Sequence, residues 1–105
     1  MTFDPAQATG FEWDAGNLAK SATKHGVAPE EAEQGFAQQP LLVHPDPEHS
    51  GTETRWDALG RTREGRRLFV AFTVREGRIR VISARPMSRR ERRAYAKAED
   101  ETLRA

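Results

Sequence analysis

Two runs of alternating residues in the second half of the chain predict a long β-hairpin. Residues 66–75 place large apolar side chains at every second position, with more apolar residues between them, and residues 78–85 repeat the two-residue period. Glu76-Gly77 separates the runs, and glycine adopts the positive φ that a tight reversal needs. Because the first run is apolar on both sides, we expect the hairpin in the middle of a sheet.

The start of the chain predicts a strand followed by a helix. Residues 11–14 form a short strand that ends in an aspartate suited to capping a helix. We expect that helix over residues 17–24, because Gly26 supplies the left-handed residue that commonly follows a helix end. Leu18 and Ala22 are its predicted inward positions.

A second helix and two strands complete the part before the hairpin. The helix begins at Pro29, which suits a first helical turn, and ends by Pro40. A strand begins at residues 41–43, residues 44–51 are rich in loop-forming types, and alternation resumes over residues 52–61.

After the hairpin, a capping box predicts a terminal helix. Ser88 and Glu91 are spaced so that each side chain satisfies a backbone amide at the helix start. Arg89, Arg93 and Lys97, four residues apart, form a cationic stripe on this helix. The predicted order β-α-α-β-β-β-β-α indicates an α+β fold with a mostly antiparallel sheet, two helices before its main strands and one after. We expect one domain over residues 11–98, flanked by a loose tail at 1–10 and a frayed tail at 99–105.

Charge is distributed very unevenly along the 105 residues. Residues 1–60 carry three Lys or Arg against ten Asp or Glu, whereas residues 61–93 carry twelve arginines against three glutamates. Guanidinium groups bind phosphate and carboxylate in planar two-pronged contacts, so a polyanion is the expected partner. The alternative is that these arginines pair with the acidic first half of the same chain.

Composition excludes several classes of protein. The absence of cysteine excludes disulfides, thiolate metal sites and thiol nucleophiles, and fits a reducing compartment. No stretch approaches the roughly 20 apolar residues of a membrane span, and the first ten residues lack the apolar part of a secretory signal, so we expect a cytoplasmic protein. His44, Asp46 and His49 are an unconvincing metal site, because prolines keep that segment extended and no fourth ligand is evident. We expect no metal and no cofactor.

Five short segments together resemble a known family. They are Phe11-Glu12-Trp13-Asp14, Lys24-His25-Gly26-Val27, Glu53 and Arg55 with Gly60, residues 78–85 (RIRVISAR), and Glu91-Arg92 with Tyr95. In this order and spacing they resemble the BrnT toxin family of the RelE-like group, from Phe11 to about Ala98. The chain departs from the commoner family pattern at Asn17 and Ser21, where members often have Lys and Asn.

The resemblance implies a RelE-like fold, a bacterial type II toxin–antitoxin pair, and RNA cleavage that slows growth. It also implies neutralisation by a BrnA-like antitoxin encoded beside the toxin. In such pairs the antitoxin usually provides the DNA binding, so contact of this chain with DNA is expected only through the antitoxin.

RNA can be cut without metal, because its 2′-hydroxyl can attack the adjacent phosphate if a protein transfers two protons and stabilises the phosphorane. The candidate catalytic residues are Lys24, His25, Glu53, Arg55, Arg85 and Tyr95. The candidate RNA-binding residues are Arg75, Arg78, Arg80, Arg89 and Arg93, with Arg75 also a possible phosphorane stabiliser.

Structural roles compete with each of these assignments. His25 also suits the negative end of its helix, Glu53 and Arg55 also suit an ion pair, and Tyr95 also suits packing on the sheet. Arg85 also suits a structural ion pair. At the level of function, the alternatives to a nuclease are a non-catalytic nucleic-acid-binding module and a protein that mainly binds an antitoxin.

Overall fold

The computed structural model describes residues 8–48 and 51–104. Its elements are, in chain order, β1 (Gly10–Trp13), α1 (Ala15–His25), α2 (Pro29–Ala37), β2 (Leu42–Pro45), β3 (Trp56–Arg61), β4 (Arg67–Arg75), β5 (Arg78–Pro86) and α3 (Arg89–Arg104). This order agrees with the predicted α+β succession. Within the described ranges, no helix is long and apolar enough to cross a membrane.

The five strands form one sheet in the order β1-β5-β4-β3-β2. β1 pairs with β5 in parallel, and the remaining neighbours are antiparallel. The predicted hairpin, β4 and β5, therefore lies at the centre of the sheet, as its apolar faces indicated. A register shift after Ala71 leaves Ile82 as an extra residue in β5.

One face of the sheet packs against α1 and α2, and we call it the helix face. Its core side chains include Leu68, Val70 and Phe72 of β4 and Val81 of β5, all 2% exposed or less. Phe36 of α2 meets Phe72 edge-on, with ring centroids 5.1 Å apart. α2 also lies very close to β3, because a Cβ at Gly60 would stand only 2.6 Å from the carbonyl oxygen of Gly35.

The ends of α1 are those that the sequence predicts, but its inward residue differs. Asp14 accepts hydrogen bonds from the first turn, and Gly26 follows the helix at φ 64°. Ser21 is buried and Ala22 is exposed, so the expectation for Ala22 was wrong; the side chain of Leu18 lies outside what is described. The Ser21 hydroxyl accepts a hydrogen bond from the Ala84 amide at 3.2 Å.

The boundaries of β2 and β3 differ from those predicted. β2 includes His44 and Pro45, which we had assigned to a loop; β2 is an edge strand, where a missing proline amide costs little. β3 begins at Trp56, so Glu53 and Arg55 precede it and are not strand neighbours.

α3 crosses the end of the sheet at which β4 begins and β5 ends. Its capping box forms as predicted, because the Ser88 amide donates to Glu91 and the Glu91 amide donates to the Ser88 hydroxyl. Glu91 also contacts Arg85 of β5, and Glu99 contacts Arg67 of β4 at 2.7 Å. The helix continues past Ala98 to Arg104, and Glu99 contacts the sheet at the start of the segment for which we expect fraying.

Candidate functional site

The sheet face opposite α1 and α2, which we call the open face, carries most of the polar strand residues. Its residues follow from alternation and from the cross-strand register, since directly opposed residues share a face. From the α3 end toward the hairpin turn, the rows are Leu59–Phe69–Arg85, His44–Asp57–Ala71–Ser83 and Thr73–Arg80–Glu12. α3 covers only the end of this face at which Arg61 and Arg67 are paired.

Arg85 occupies the corner where the open face meets α3. Its Nη1 and Nη2 atoms donate to the two carboxylate oxygens of Glu91 at 2.7 and 2.9 Å, and Nη1 also donates to the carbonyl of Pro86 at 3.1 Å. The guanidinium carbon lies 4.0 Å from the centroid of the Phe69 ring. The hydrogen bond from Arg85 lowers the pKa of Glu91, so this pair is ionised at neutral pH.

Arg75 lies on the same face at the opposite end of β4. Its Nε and Nη2 atoms donate to Glu53 at 2.7 and 2.8 Å, and this hydrogen bonding lowers the pKa of Glu53. Arg85 of β5 stands directly opposite Phe69 of β4 in the strand register, and Phe69 precedes Arg75 by six residues. Arg85 and Arg75 are therefore roughly 20 Å apart along the strand direction. Arg75 and Arg85 thus form two separate guanidinium–carboxylate pairs and do not belong to one arginine cluster.

The remaining arginines near the hairpin turn are held more loosely. Arg80 is half-buried, and its guanidinium nitrogens lie 3.8 Å from Glu12 and 3.6 Å from Asp14, which is beyond hydrogen-bonding distance. Arg78 is exposed at the first position of β5. Arg55 is half-buried just before β3, and its carbonyl accepts from the amide of Asp46 at 2.7 Å.

Lys24 and His25 lie at the end of α1, on the helix side of the sheet. The carbonyl of the next residue, Gly26, accepts a hydrogen bond from Arg66 at 2.9 Å, and Arg66 also binds Glu31 of α2. This places the two residues at the same end of the sheet as Arg85 but across its thickness. They do not join the open-face residues.

Tyr95 lies in the interior, between α3 and the segment after α2. Its side chain is fully buried, and its hydroxyl donates to the carbonyl of Pro40 at 2.5 Å. Burial raises its pKa to about 12. In this position the phenol cannot contact RNA or exchange a proton with it near neutral pH.

The first half of α3 presents the densest group of cations that have no carboxylate partner among the described residues. Arg89, Arg90, Arg93 and Lys97 are exposed and fall within about 100° of the helix circumference. Glu91, Tyr95 and Glu99 occupy the opposite side, which packs on the sheet. We call these four residues the α3 cationic face.

Cross-strand register brings together residues that the sequence did not single out as a group. His44 of β2 stands directly opposite Asp57 of β3, and Ser83 lies in the same row of the open face. Glu91 was assigned to the capping box and to the family pattern but not to a site, and Phe69 only to the strand. The missing information was the register, because a one-residue slip moves a side chain to the other face.

A concavity of about 330 Å³ lies elsewhere, between the edge strand β1 and α2. Phe11, Phe36 and Ile79 contribute to its lining, and Glu33 is its one ionisable residue. Glu33 accepts a hydrogen bond from the Trp13 indole at 3.1 Å. This cavity lacks the groups for phosphate chemistry, so the open face remains the candidate site.

No three His, Asp or Glu side chains of residues 8–48 and 51–104 are arranged to hold a metal ion. His49, part of the weak sequence pattern, lies outside the described residues.

Comparison with known proteins assigns the chain to a family. The family model for the ribonuclease toxin BrnT of type II toxin–antitoxin systems matches residues 13–91. The chain belongs to the BrnT family. Its fold is also similar to that in the 1.1 Å crystal structure of the Brucella abortus ribonuclease toxin BrnT, with a TM-score of 0.54 and 20% identity, over 76% of this chain and 97% of that one. No match was found among curated proteins.

The BrnT match contains both halves of the Arg85–Glu91 pair but ends before Arg93 and Tyr95. It therefore includes the open-face corner and only the start of the α3 cationic face. Membership of a type II toxin family implies an antitoxin partner.

Proposed function

We propose that this BrnT-family chain is an endoribonuclease toxin that cleaves RNA by attack of the 2′-hydroxyl, without a metal ion, and thereby inhibits growth. A BrnA-like antitoxin neutralises it and makes the DNA contacts of the pair. The α+β order with a central antiparallel hairpin supports assignment to the RelE-like group.

The observation that carries this proposal is the position of Arg85. It is an oriented arginine at the edge of the open face, and the chain leads from it directly into the α3 cationic face. An RNA strand that follows the exposed arginines of α3 would bring one phosphate to Arg85. A guanidinium placed there stabilises the negative charge that develops on the phosphorane.

The other candidates receive different roles. Arg89 and Arg93 bind the RNA backbone, while Arg80, Arg78, Arg75 and Arg55 extend the binding surface toward the hairpin turn. Glu53 remains a candidate base because it is a carboxylate at neutral pH, but the hydrogen bonds from Arg75 that lower its pKa also weaken it as a base. Lys24 and His25 reach the substrate only if RNA passes around the end of the sheet. We assign Tyr95 a structural role.

His44 is an additional candidate for proton transfer. It is exposed on the open face, in the row next to that of Arg85, and stands opposite Asp57; β3 and β4 separate its strand from β5. Imidazole is the side chain that most often transfers a proton in catalysis, here to a leaving 5′-oxygen.

The test is cleavage of RNA by the purified chain in excess EDTA. We expect the wild type to cleave and Arg85→Ala to lose about a hundredfold or more in rate while remaining folded, since one donor to a developing oxyanion contributes about that much. Absence of cleavage by the wild type, with or without added divalent ions, would contradict the nuclease assignment. Equal rates for both proteins would remove Arg85 from the mechanism.

A non-catalytic module that binds nucleic acid or the antitoxin is the second candidate, and the ion pairs favour it. Six arginines of the basic segment have a carboxylate within 4 Å, so much of its positive charge is neutralised within the chain. This candidate predicts binding that weakens steeply with salt and leaves RNA intact. Co-purification with the antitoxin but no RNA affinity at any salt concentration would instead indicate a partner-binding protein.

A further inference from the structure

Arg85 differs from the paired strand arginines Arg67 and Arg75 in which of its hydrogens are used. A guanidinium has five N–H groups in a rigid plane. Glu91 takes one hydrogen of Nη1 and one of Nη2, and the carbonyl of Pro86 takes the second hydrogen of Nη1. The Nε hydrogen and the second Nη2 hydrogen are left without an acceptor among the described residues.

These two remaining hydrogens form a recognition edge. Nε–H and the outer Nη2–H of an arginine point in the same direction, and parallel N–H groups match two oxygens of a phosphate. The side chain of Arg85 is 35% exposed, so this arginine is in contact with solvent despite its pairing with Glu91.

The other arginines with short pairs on the strands have this edge occupied. In Arg75, Nε and Nη2 both donate to Glu53, at 2.7 and 2.8 Å. In Arg67, Nε and Nη2 both donate to Glu99, at 3.0 and 2.7 Å. A phosphate would have to displace a carboxylate from the Nε/Nη2 edge of either arginine. In Arg85 the carboxylate is bound by Nη1 and Nη2, so the Nε/Nη2 edge stays open.

We propose that Glu91 is a positioning residue that, together with Phe69, orients Arg85 so that its Nε/Nη2 edge binds a phosphodiester of the RNA. This inference rests on the proposed function and specifies how the site holds its substrate. The phosphate contact is made by Arg85, while Glu91 acts only through it.

Glu91 is itself rigidly held, which lets it act as a template. Its Oε1 atom accepts from the Ser88 amide at 2.8 Å as part of the capping box, so the carboxylate is fixed by the first turn of α3. Phe69 contacts the guanidinium from a third direction, since its ring centroid lies 4.0 Å from the central carbon. The arginine therefore reaches its binding geometry before substrate arrives, and little of its freedom remains to be lost on binding.

The first experiment observes the edge directly and does not need cleavage. The probe is a 2′-O-methyl RNA oligonucleotide, which lacks the attacking hydroxyl, titrated into ¹⁵N-labelled protein while the arginine Nε–H resonances are followed by NMR. We expect the Nε–H of Arg85 to shift on saturation and that of Arg67, which already donates to Glu99, to remain in place. A shift at Arg67 with none at Arg85 would overturn the proposal.

The second experiment compares two matched variants of α3. Glu91→Gln keeps an oxygen for the Ser88 amide but removes the two-oxygen carboxylate that holds Arg85. Glu99→Gln breaks the pair with Arg67 on the same helix, away from Arg85. We expect kcat/KM to fall at least tenfold in Glu91→Gln and less than twofold in Glu99→Gln, both measured well below their Tm. Equal losses would show that Glu91 acts only through stability.

A third comparison separates positioning from stability. In an Arg85→Lys background, which keeps the charge but lacks the edge, Glu91→Gln should have less than a twofold further effect. Additive losses would overturn the proposal. If the wild type fails to cleave RNA, the nuclease assignment fails, yet an Arg85 Nε–H shift that disappears in Glu91→Gln would still support the positioning role.

Discussion

Ser21 shows how a single hydroxyl completes the sheet. β1 pairs with residues 78–81 of β5 and then ends, so the outer edge of β5 beyond Val81 has no neighbouring strand. The Ser21 side chain of α1 is 2% exposed and accepts the hydrogen bond of the Ala84 amide there. The departure from the commoner family residue at this position therefore bears on the backbone of β5.

Ser21→Ala should lower the free energy of unfolding by about 1–3 kcal/mol, because it leaves a buried amide without an acceptor. Urea denaturation measures the change. Thr23→Ala, at an exposed position of the same helix, is the control and should stay within about 0.5 kcal/mol of wild type. A Ser21→Ala protein as stable as this control would show that water satisfies the Ala84 amide.

The raised pKa of Tyr95 predicts that the protein loses stability at high pH. Its pKa is about 12 in the folded protein and about 10 when unfolded, so between these values the unfolded chain releases a proton that the folded chain retains. The stabilisation is complete below pH 10 and is lost as the pH rises toward 12, by up to roughly 2–3 kcal/mol.

Chemical denaturation at pH 8, 10 and 11.5 tests this expectation, with Tyr95→Phe as the reference. The variant loses the hydrogen bond to Pro40 and should be about 1 kcal/mol less stable at pH 8, but less sensitive to alkali. It should also retain RNA cleavage. Identical alkaline profiles would contradict the raised pKa, and loss of cleavage by a folded variant would contradict the structural role.

The same substitution at His44 and at His25 tests which of the two histidines transfers a proton during cleavage. If His44 donates a proton on the open face, His44→Gln should reduce the cleavage rate by about 100-fold or more at neutral pH. His25→Gln, at the far side of the sheet, should change it little. Rates are compared under single-turnover conditions, and the reverse order would move the proton-transfer site to the end of α1.

At the scale of elements, the hairpin and the helix ends were predictable because their signals are local. Strand period, the Glu76-Gly77 turn and the Ser88–Glu91 capping box each depend on residues within a few positions of one another. The end of β2 and the start of β3 were not predictable, since Pro45 and Trp56 become strand residues only by pairing with each other across a loop. For the candidate site, sequence alone indicated an arginine-rich hairpin, but the carboxylate bound by each arginine is set by tertiary structure.

The β4–β5 turn carries a local conflict that a substitution can relieve. Glu76 has φ 53°, which a side chain other than glycine, asparagine or aspartate rarely adopts, and Gly77 follows at φ 78°. Glu76→Asn should raise the free energy of unfolding by about 0.5–1 kcal/mol, since Asn-Gly is the preferred pair for such turns. Glu76→Ala keeps the strained conformation and should give no gain. A gain shared equally by both variants would indicate relief of charge and not of backbone strain.

For the whole molecule, the charge asymmetry of the sequence is mostly resolved by internal pairing. Arg66, Arg75 and Arg80 pair with carboxylates from the acidic first half, which is the alternative that the sequence left open. Arg67 and Arg85 pair with α3 instead. Among the described residues, the cations left for a polyanion include the α3 cationic face and the exposed Arg78, and Arg85 offers its side edge.

This division makes the salt dependence of RNA binding a test of which arginines contact phosphate. Each phosphate contact contributes a slope of about −0.7 in log K against log salt for a single strand. Replacing Arg89 and Arg93 with Gln should reduce the magnitude of the slope by about 1.4 and weaken binding to all sequences alike. Replacing Arg66 and Arg67, whose charges are paired, should leave the slope within about 0.3 of the wild-type value. Both slopes are measured by fluorescence anisotropy with a 2′-O-methyl oligonucleotide at salt concentrations from about 50 to about 300 mM. If the paired arginines contribute as much slope as those of α3, the RNA contacts the start of β4 and α3 is left for the antitoxin.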